Sequence, residues 1–294
     1  MGRSCLALVL AFPCLGCSAL QDLDVEYRDC VDVGSGRYVE TFEETDLGSL
    51  EDRCWQVDNV GPAPAGRAQK LFVEDGDLVV RVNDPTPGSD LDQWTTSDQA
   101  PLVYRRLEGD FLVVARAEAI RKGANDHCLD AGNVAGLALR RADQAALWAT
   151  WTVEPHLWVD GVKEARCEDD SDESNNPTAT ARLASSEPGF ATAAFPNIGE
   201  DGEADLAVCR VDDRAYYFYG KPGPNPLKNE WLPLGSASVS HVIGTGPVDV
   251  GATAAGKAPI FQAAGHFTWM IFERGTWGDG CAGALDQIES PEAN

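Results

Sequence analysis

Short apolar segments separated by polar turn residues run through most of this chain. From Tyr38 onward, segments rich in Val, Leu, Ile and aromatic residues alternate with clusters of Gly, Pro, Asp and Asn. The segments recur roughly every ten to twenty residues, a spacing typical of strands in an all-β domain. The pattern therefore predicts about a dozen β-strands.

Three of the separating turns predict β-hairpins. Asp75-Gly76 lies between the apolar arms of LFVEDGDLVVRV, and an Asp-Gly pair in that position is a strong signal for a two-residue turn. Glu108-Gly109 and Asp212-Asp213 occupy equivalent positions in YRRLEGDFLVV and CRVDDRAYYFY. We therefore expect each pair of arms to form neighbouring antiparallel strands.

No segment carries a sustained helical period with caps. The nearest is RADQAALWATW, in which the alternation of Trp and Thr fits a strand at least as well. The sequence also has no internal repeat, which argues against a propeller or a solenoid. The predicted fold class is all-β, an antiparallel two-sheet sandwich of the jelly-roll type.

The N-terminus has the features of an export signal. Arg3 precedes an apolar run from Cys5 to Phe12, which is too short to span a bilayer as a helix but suits a signal peptide. The following CLGCSA resembles a bacterial lipobox, with Gly16 and Cys17 in matching positions and Cys14 where Leu is usual.

The lipobox resemblance implies a diacylglycerol on Cys17, and Ser18 after it implies an outer-membrane lipoprotein. The alternative is ordinary signal cleavage after Ala19, which gives a secreted or periplasmic protein. We expect a signal peptide over residues 1–16, a polar tether over 17–37, the sandwich over 38–275 and a C-terminal tail over 276–294.

Charge limits the partners. The 294 residues include 23 basic and 47 acidic side chains, a net charge of −24. Acidity on this scale repels polyanions, so nucleic acid is not an expected partner, and membrane contact is expected through the lipid anchor only.

Six cysteines follow Cys17, an even number that predicts three disulfides in an exported chain. We expect Cys128 to pair with Cys167, because both lie in polar loops that flank the same strand region. The disulfide candidates are Cys30, Cys54, Cys128, Cys167, Cys209 and Cys281.

The order of the segments resembles the concanavalin A-like lectin/glucanase superfamily, especially its bacterial members of unassigned activity. YVETFEETDLGSLEDRCWQV is similar to the start of the family, and DGDLVVRV, LEGDFLVVARAEA and AGLALRRAD follow in the family's order. The closing strands of the family resemble CRVDDRAYYFYG, EWLPLG, VDVGATA and GHFTWMIFE.

This resemblance implies two stacked sheets with a face that carries sugar in lectins and glucanases. Glucanases of the family use a strand motif, ExDxxE, whose carboxylates project to one face. The nearest fragment here is EADLAV, with Glu203 and Asp205 but with Val208 in place of the second Glu. The sequence therefore assigns no catalytic residue.

Aromatic side chains define the predicted carbohydrate site, since aromatic rings stack on the apolar faces of sugars. Tyr217 and Tyr219 alternate with Tyr216 and Phe218, so one pair lines the core and the other a sheet face. Trp148 and Trp151 are three residues apart, so one faces the core and the other faces outward. The predicted ligand residues are Arg210, Tyr217, Tyr219, Trp231 and Trp148.

Three further segments suggest ligand sites at first sight. NIGEDGEADLAVCR resembles a propeller calcium loop but occurs once, so we expect a turn and a strand. GATAAGKAP nearly matches a phosphate-binding loop, but Pro259 follows in place of a helix, so we expect a turn between two late strands. CEDDSDESNNP is the densest acidic segment.

Asp169, Asp170, Asp172 and Asn175 of that acidic segment offer oxygen ligands for calcium. The segment lacks the Gly and the terminal Glu of an EF-hand loop, so a solvated loop is favoured over a structural calcium site. The four histidines have no metal-binding spacing. The sequence predicts no cofactor and no metal site.

Three functions are compatible with the sequence. The favoured one is an envelope-anchored, non-catalytic lectin-like domain that binds carbohydrate. The alternatives are a glycan-cleaving enzyme with an atypical carboxylate pair and a structural or surface-assembly protein without a sugar ligand.

Overall fold

Two antiparallel sheets dominate the computed structural model of the protein. It describes residues 36–42, 50, 53–58, 61–62, 68–83, 101–122, 128–129, 134–144, 146–159, 162–164, 166–167, 178–186, 193–200, 203–222, 229–233, 243–255, 262–277 and 281–288. The predicted all-β fold class, an antiparallel two-sheet sandwich, is confirmed.

The larger sheet has nine strands in the order β17-β16-β15-β7-β19-β5-β4-β3, with β1 also paired to β19. Its strands are β1 (Arg37–Glu40), β3 (Gly61–Pro62), β4 (Ala68–Glu74), β5 (Asp77–Asn83), β7 (Phe111–Lys122), β15 (Glu203–Val211), β16 (Arg214–Pro222), β17 (Asn229–Pro233) and β19 (Gln262–Arg274).

The second sheet has eight strands in the order β14-β13-β10-β9-β18-β6-β2, with β11 paired to β10. Its strands are β2 (Gln56–Asp58), β6 (Leu102–Leu107), β9 (Val134–Arg141), β10 (Trp148–Val159), β11 (Val162–Glu164), β13 (Thr178–Ser185), β14 (Ala193–Glu200) and β18 (Val248–Ala255). A separate pair consists of β8 (Cys128–Leu129) and β12 (Arg166–Cys167).

The main core lies between the two sheets, and we call the sheet faces that line it the inner faces. In β15, Leu206 and Val208 belong to this core, whereas Ala207 and Cys209 between them belong to a second apolar cluster. Alternation along a strand sends neighbouring side chains to opposite faces. The second cluster therefore lies on the outer face of the nine-stranded sheet.

A segment near the C-terminus covers part of that outer face. Helix α1 (Ala282–Leu285) follows Cys281, which is bonded to Cys209 of β15. Cys281, Ala284, Leu285 and Ile288 are buried against apolar residues of the sheet. We call residues 281–288 the C-terminal cover. They lie in the expected tail, of which the structure also describes residues 276–277.

Two of the three predicted hairpins are confirmed. Glu74 pairs with Asp77 across Asp75-Gly76, and both turn residues have positive φ, 56° and 91°. β15 and β16 pair through Asp212-Asp213.

The prediction of a hairpin at Glu108-Gly109 is wrong. β6 belongs to the eight-stranded sheet and β7 to the nine-stranded sheet, so this turn carries the chain from one sheet to the other. Turn residues specify a reversal of direction, but the apolar arms decide which neighbours they pair with.

The expected turn at GATAAGKAP is also wrong for its first half, because residues 251–255 continue strand β18. Gly251 faces the backbone of β6: a Cβ added there would lie 1.9 Å from the carbonyl oxygen of Val103. The glycine is needed for this close approach of two strands.

Among the described residues, no helix is long and apolar enough to cross a membrane.

Candidate functional site

The structure does not bring the predicted ligand residues together. Arg210 is only 1% exposed. Its guanidinium donates hydrogen bonds to the carbonyl oxygens of Gly109 at 2.9 Å, Gly246 at 2.6 Å and Thr245 at 3.4 Å. Burial lowers the pKa of Arg210, against the opposing charges of Asp110 and Glu108. Arg210 therefore holds the turn between the sheets and has no surface for a ligand.

The two tyrosines face inward. Tyr217 lies in the main core, in edge contact with Trp151 at 6.2 Å between ring centroids. Tyr219 is partly buried and packs against the same core. The prediction that Tyr217 and Tyr219 share one face, opposite Tyr216 and Phe218, is confirmed, and the inner face is the one they share.

The two tryptophans lie on outer faces, but of different sheets. Trp231 is partly buried against the second apolar cluster of the nine-stranded sheet. Trp148 is 7% exposed and packs with Leu102, Tyr104 and Ala138 on the eight-stranded sheet. The prediction that Trp148 and Trp151 face opposite ways is confirmed, because Trp151 lies in the main core.

The fragment EADLAV lies at the start of β15, with Glu203 and Asp205 on the outer face. The residue that follows them on this face is Ala207, whereas Val208 points into the main core. The position expected to hold the second carboxylate is therefore occupied by Ala207 rather than by Val208. Ala207 is buried in the cluster that the C-terminal cover completes.

A group of polar side chains lies beside the C-terminal cover on the same outer face. Strand register pairs Glu203 and Asp205 of β15 with Glu118 and Arg116 of β7, and pairs Glu118 in turn with His266 of β19. Side chains of directly paired residues lie on one face, with Cβ atoms about 4.5–5.5 Å apart. We call this group the polar patch: Glu118, Glu203, Asp205, Arg116, His266 and Asn229.

Ion pairs hold the middle of the polar patch in place. Arg116 donates through Nε and Nη2 to the two carboxylate oxygens of Asp205, at 2.8 and 3.1 Å. Its Nε also lies 3.4 Å from Oε1 of Glu203. Asn229 Nδ2 donates to Asp205 from the edge strand β17.

The indole of Trp269 lies beneath these groups, 5.5 Å from the Arg116 guanidinium carbon. Asp205 is nearly buried, whereas the Glu203 side chain is 46% exposed.

His266 forms the other end of the patch. Its Nδ1 lies 3.4 Å from Oδ2 of Asp77 on β5, and its side chain is 14% exposed. The patch thus draws on the neighbouring strands β15, β7 and β19 and on the edge strand β17, and it presents hydrogen-bond acceptors, an amide and a guanidinium on one surface. Groups of this kind can orient hydroxyl-bearing ligands through hydrogen bonds.

The aromatic side chains whose exposure the structure describes are buried or half-buried. The exposed large apolar residues in the described part of the chain are Val39 and Val57. Within the described part of the chain, no group of three or more His, Cys, Asp or Glu side chains could hold a metal ion. The proposed calcium ligands in CEDDSDESNNP lie outside the described residues, so that alternative stays a prediction.

The sequence pattern did not predict Glu118, Arg116, His266 and Asn229 as site residues. The signal for Arg116 and Glu118 was their alternation with buried alanines in VARAEA, which marks a polar side of an apolar strand. Their position beside EADLAV depends on the pairing of β7 with β15, two strands separated by seven others along the chain.

The structure shows three of the six candidate cysteines in disulfide bonds. Cys209 and Cys281 are bonded to each other, and Cys54 is also disulfide-bonded. Cys128 and Cys167 are direct register partners in the pair β8 and β12. The disulfide between them stays a prediction, while Cys30 and Cys17 lie outside the described residues.

No protein-family model matches this chain, and no curated protein matches it. Solved structures that resemble it include glucanase-type β-sandwich proteins. A prokaryotic β-1,3-1,4-glucanase (lichenase) derived from a mouse hindgut metagenome is 11% identical, with a TM-score of 0.45 over 81% of this chain and 98% of that chain.

A pseudo β-1,3-glucanase and immunostimulatory antigen of Mycobacterium tuberculosis is 16% identical, with a TM-score of 0.42 over 82% of this chain and 100% of that chain. A functionally unknown protein from Saccharomyces cerevisiae is 12% identical, with a TM-score of 0.45 over 76% of this chain and 96% of that chain.

Proposed function

We propose that this protein is an exported, envelope-anchored domain of the concanavalin A-like type that binds carbohydrate without cleaving it, through the polar patch. The observation that carries the proposal is the gathering of Glu203, Asp205, Glu118, Arg116, His266 and Asn229 on one outer face. Carboxylate oxygens accept hydrogen bonds from sugar hydroxyls, and the Arg and Asn side chains donate to ring and hydroxyl oxygens.

The ion pair of Arg116 with Asp205 favours binding because it fixes the patch before a ligand arrives. A pre-organised site loses less side-chain entropy on binding than a mobile one. Ala207 and the C-terminal cover favour a non-catalytic role. A carboxylate is missing from the third outward position of β15, and that position is buried under an apolar segment.

Binding to a panel of polysaccharides and glycans tests the proposal. We expect Glu203→Gln and Glu118→Gln to weaken binding at least about tenfold, as the loss of one charged hydrogen bond would do. Glu230→Gln is the matched control, because Glu230 alternates with Asn229 and Trp231 on β17 and so points to the opposite face. A folded wild-type protein that binds no glycan would refute the proposal.

One observation favours a second function, glycan hydrolysis. Glu118 and Glu203 are direct cross-strand partners, and neighbouring carboxylates about 5–5.5 Å apart serve retaining glycosidases. In that case Glu203, 3.4 Å from Arg116, would act as nucleophile and Glu118 would donate the proton to the leaving oxygen. Release of reducing sugar by the wild type, lost in both Gln variants, would establish this function over the first.

The anchor is proposed on the lipobox resemblance at Cys17. Intact mass of the membrane-extracted protein should show an added diacylglycerol and acyl chains, and Cys17→Ser should remove them. A mature protein that begins after Ala19, without lipid, would instead support a secreted or periplasmic protein.

A further inference from the structure

A buried guanidinium without a bonded counterion lies at one end of the main core, away from the polar patch. Arg105 of β6 is 5% exposed. It alternates with Val103 and Leu107, which line the core, so it points between the sheets. Its Nε and Nη1 are buried and make no hydrogen bond.

The surroundings of Arg105 are aromatic. Its guanidinium carbon lies 4.1 Å from the ring centroid of Tyr38 and 5.7 Å from that of Phe272. Trp55 contacts the same Phe272 edge-on, with 5.3 Å between ring centroids. The indole Nε1 of Trp55 is likewise buried without a hydrogen bond. Two buried groups that donate hydrogen bonds thus lack acceptors around one phenylalanine.

The nearest carboxylate is already occupied. Glu40 is 2% exposed. Its Oε2 accepts a hydrogen bond of 2.5 Å from the Tyr38 hydroxyl. Its Oε1 accepts from Arg53 at 2.9 Å and from the Phe42 amide at 3.4 Å. Glu40 therefore pairs with Arg53 and makes no hydrogen bond to Arg105.

Burying a charged guanidinium without its full set of hydrogen bonds costs folding free energy. Such groups normally contact a bound water or ion, or belong to a functional site. A water molecule could accept from the N–H groups but carries no charge, and the Glu40 carboxylate, whose charge acts on Arg105, is shared with Arg53. A small anion satisfies the donors and the charge together. We propose that Arg105 and Trp55 bind a small monovalent anion, of which chloride is the probe, between the two sheets.

The proposed anion would tie the two sheets together. Arg105 belongs to the eight-stranded sheet, Tyr38 and Phe272 belong to the nine-stranded sheet, and Trp55 lies just before β2. A ligand bound only to the folded protein stabilises it in proportion to the logarithm of its concentration over its dissociation constant. Chloride should therefore raise the melting temperature of the protein.

The experiment compares thermal unfolding of the mature protein in sodium chloride and in sodium gluconate at equal ionic strength. We expect a melting temperature about 2–4 °C higher in chloride. Arg105→Met should abolish the difference and Trp55→Phe should reduce it. Arg106→Met should retain it, because Arg106 faces outward and pairs with Asp249 at 2.7 Å.

Equal melting temperatures of the wild type in the two salts would overturn the proposal, as would a chloride response that persists in Arg105→Met. If Arg105→Met does not fold, crystals of the wild-type protein grown in bromide test the anion site instead. An anomalous peak within hydrogen-bond distance of the Arg105 guanidinium supports the site. Absence of an anomalous peak at this position, at full bromide concentration, overturns the proposed anion site. These outcomes are independent of glycan binding.

Discussion

Arg116 on β7 and Asp205 on β15 form a two-point ion pair in the middle of the polar patch, with N–O distances of 2.8 and 3.1 Å. Both residues occupy directly paired positions of neighbouring strands. The pair fixes a carboxylate that is only 6% exposed, and it positions the Arg116 side chain beside Glu203.

Loss of either partner should destabilise the protein more than loss of both. Asp205→Ala or Arg116→Met alone leaves a charge with too few partners, at a cost of about 2–4 kcal/mol of unfolding free energy. The double variant should recover part of this, giving a coupling energy of about 1–3 kcal/mol in a urea-denaturation cycle. A coupling energy below about 0.5 kcal/mol would mean that solvent already screens the pair.

Arg210→Met should lower the free energy of unfolding by about 3 kcal/mol or more. Three carbonyl oxygens lose a charged donor, and the turn after β6 loses the side chain that holds it. The control is Arg214→Met in the same hairpin, where the side chain is exposed and the change should stay within about 0.5 kcal/mol. Equal effects of the two substitutions in chemical denaturation would contradict the structural role of Arg210.

The disulfide between Cys209 and Cys281 spans 72 residues. On the chain-entropy model its loss costs about 4 kcal/mol. Cys281→Ser should also loosen the C-terminal cover and increase the binding of an apolar dye, because Leu112, Val114 and Ile271 then lose their covering residues. A stable Cys281→Ser variant without extra dye binding would show that packing alone holds the cover.

Acid should weaken the network around Glu40. Burial by itself opposes ionisation, but the Tyr38 hydrogen bond, the Arg53 charge and the Phe42 amide outweigh it and lower the pKa of Glu40 from its ordinary 4.5. A lowered pKa stabilises the folded state above the unfolded-state value, and that stabilisation disappears as the pH falls through the folded-state value. The free energy of unfolding of the wild type should therefore exceed that of Glu40→Gln by less and less below about pH 5. A difference in unfolding free energy that is constant from pH 7 to pH 3 would contradict this.

Disulfide mapping of the exported protein should identify Cys128 with Cys167, in addition to Cys209 with Cys281. Register places the first two opposite each other. Cys54, which is bonded, would then pair with Cys30, the remaining member of the six. A peptide that joins Cys54 to Cys128 or Cys167 would refute this connectivity.

The apolar-polar alternation of the chain and its turn residues determined the all-β fold class, the hairpins at Asp75-Gly76 and Asp212-Asp213, and the opposite orientations of Trp148 and Trp151. These features depend on neighbours within a few residues, where the period of a strand fixes which side chains share a face. The alternation also showed that Tyr217 and Tyr219 share a face, but it could not show that this face is the interior.

Tertiary structure alone decided which strands became neighbours. The pairing of β7 with both β15 and β19 brings Glu118, Arg116 and His266 beside Glu203 and Asp205, and the sheet change after Leu107 buries Arg210. The physical reason is that hydrophobic burial is non-directional: many pairings of amphipathic strands satisfy the same local pattern. The whole core selects one of them, and that choice places the polar side chains.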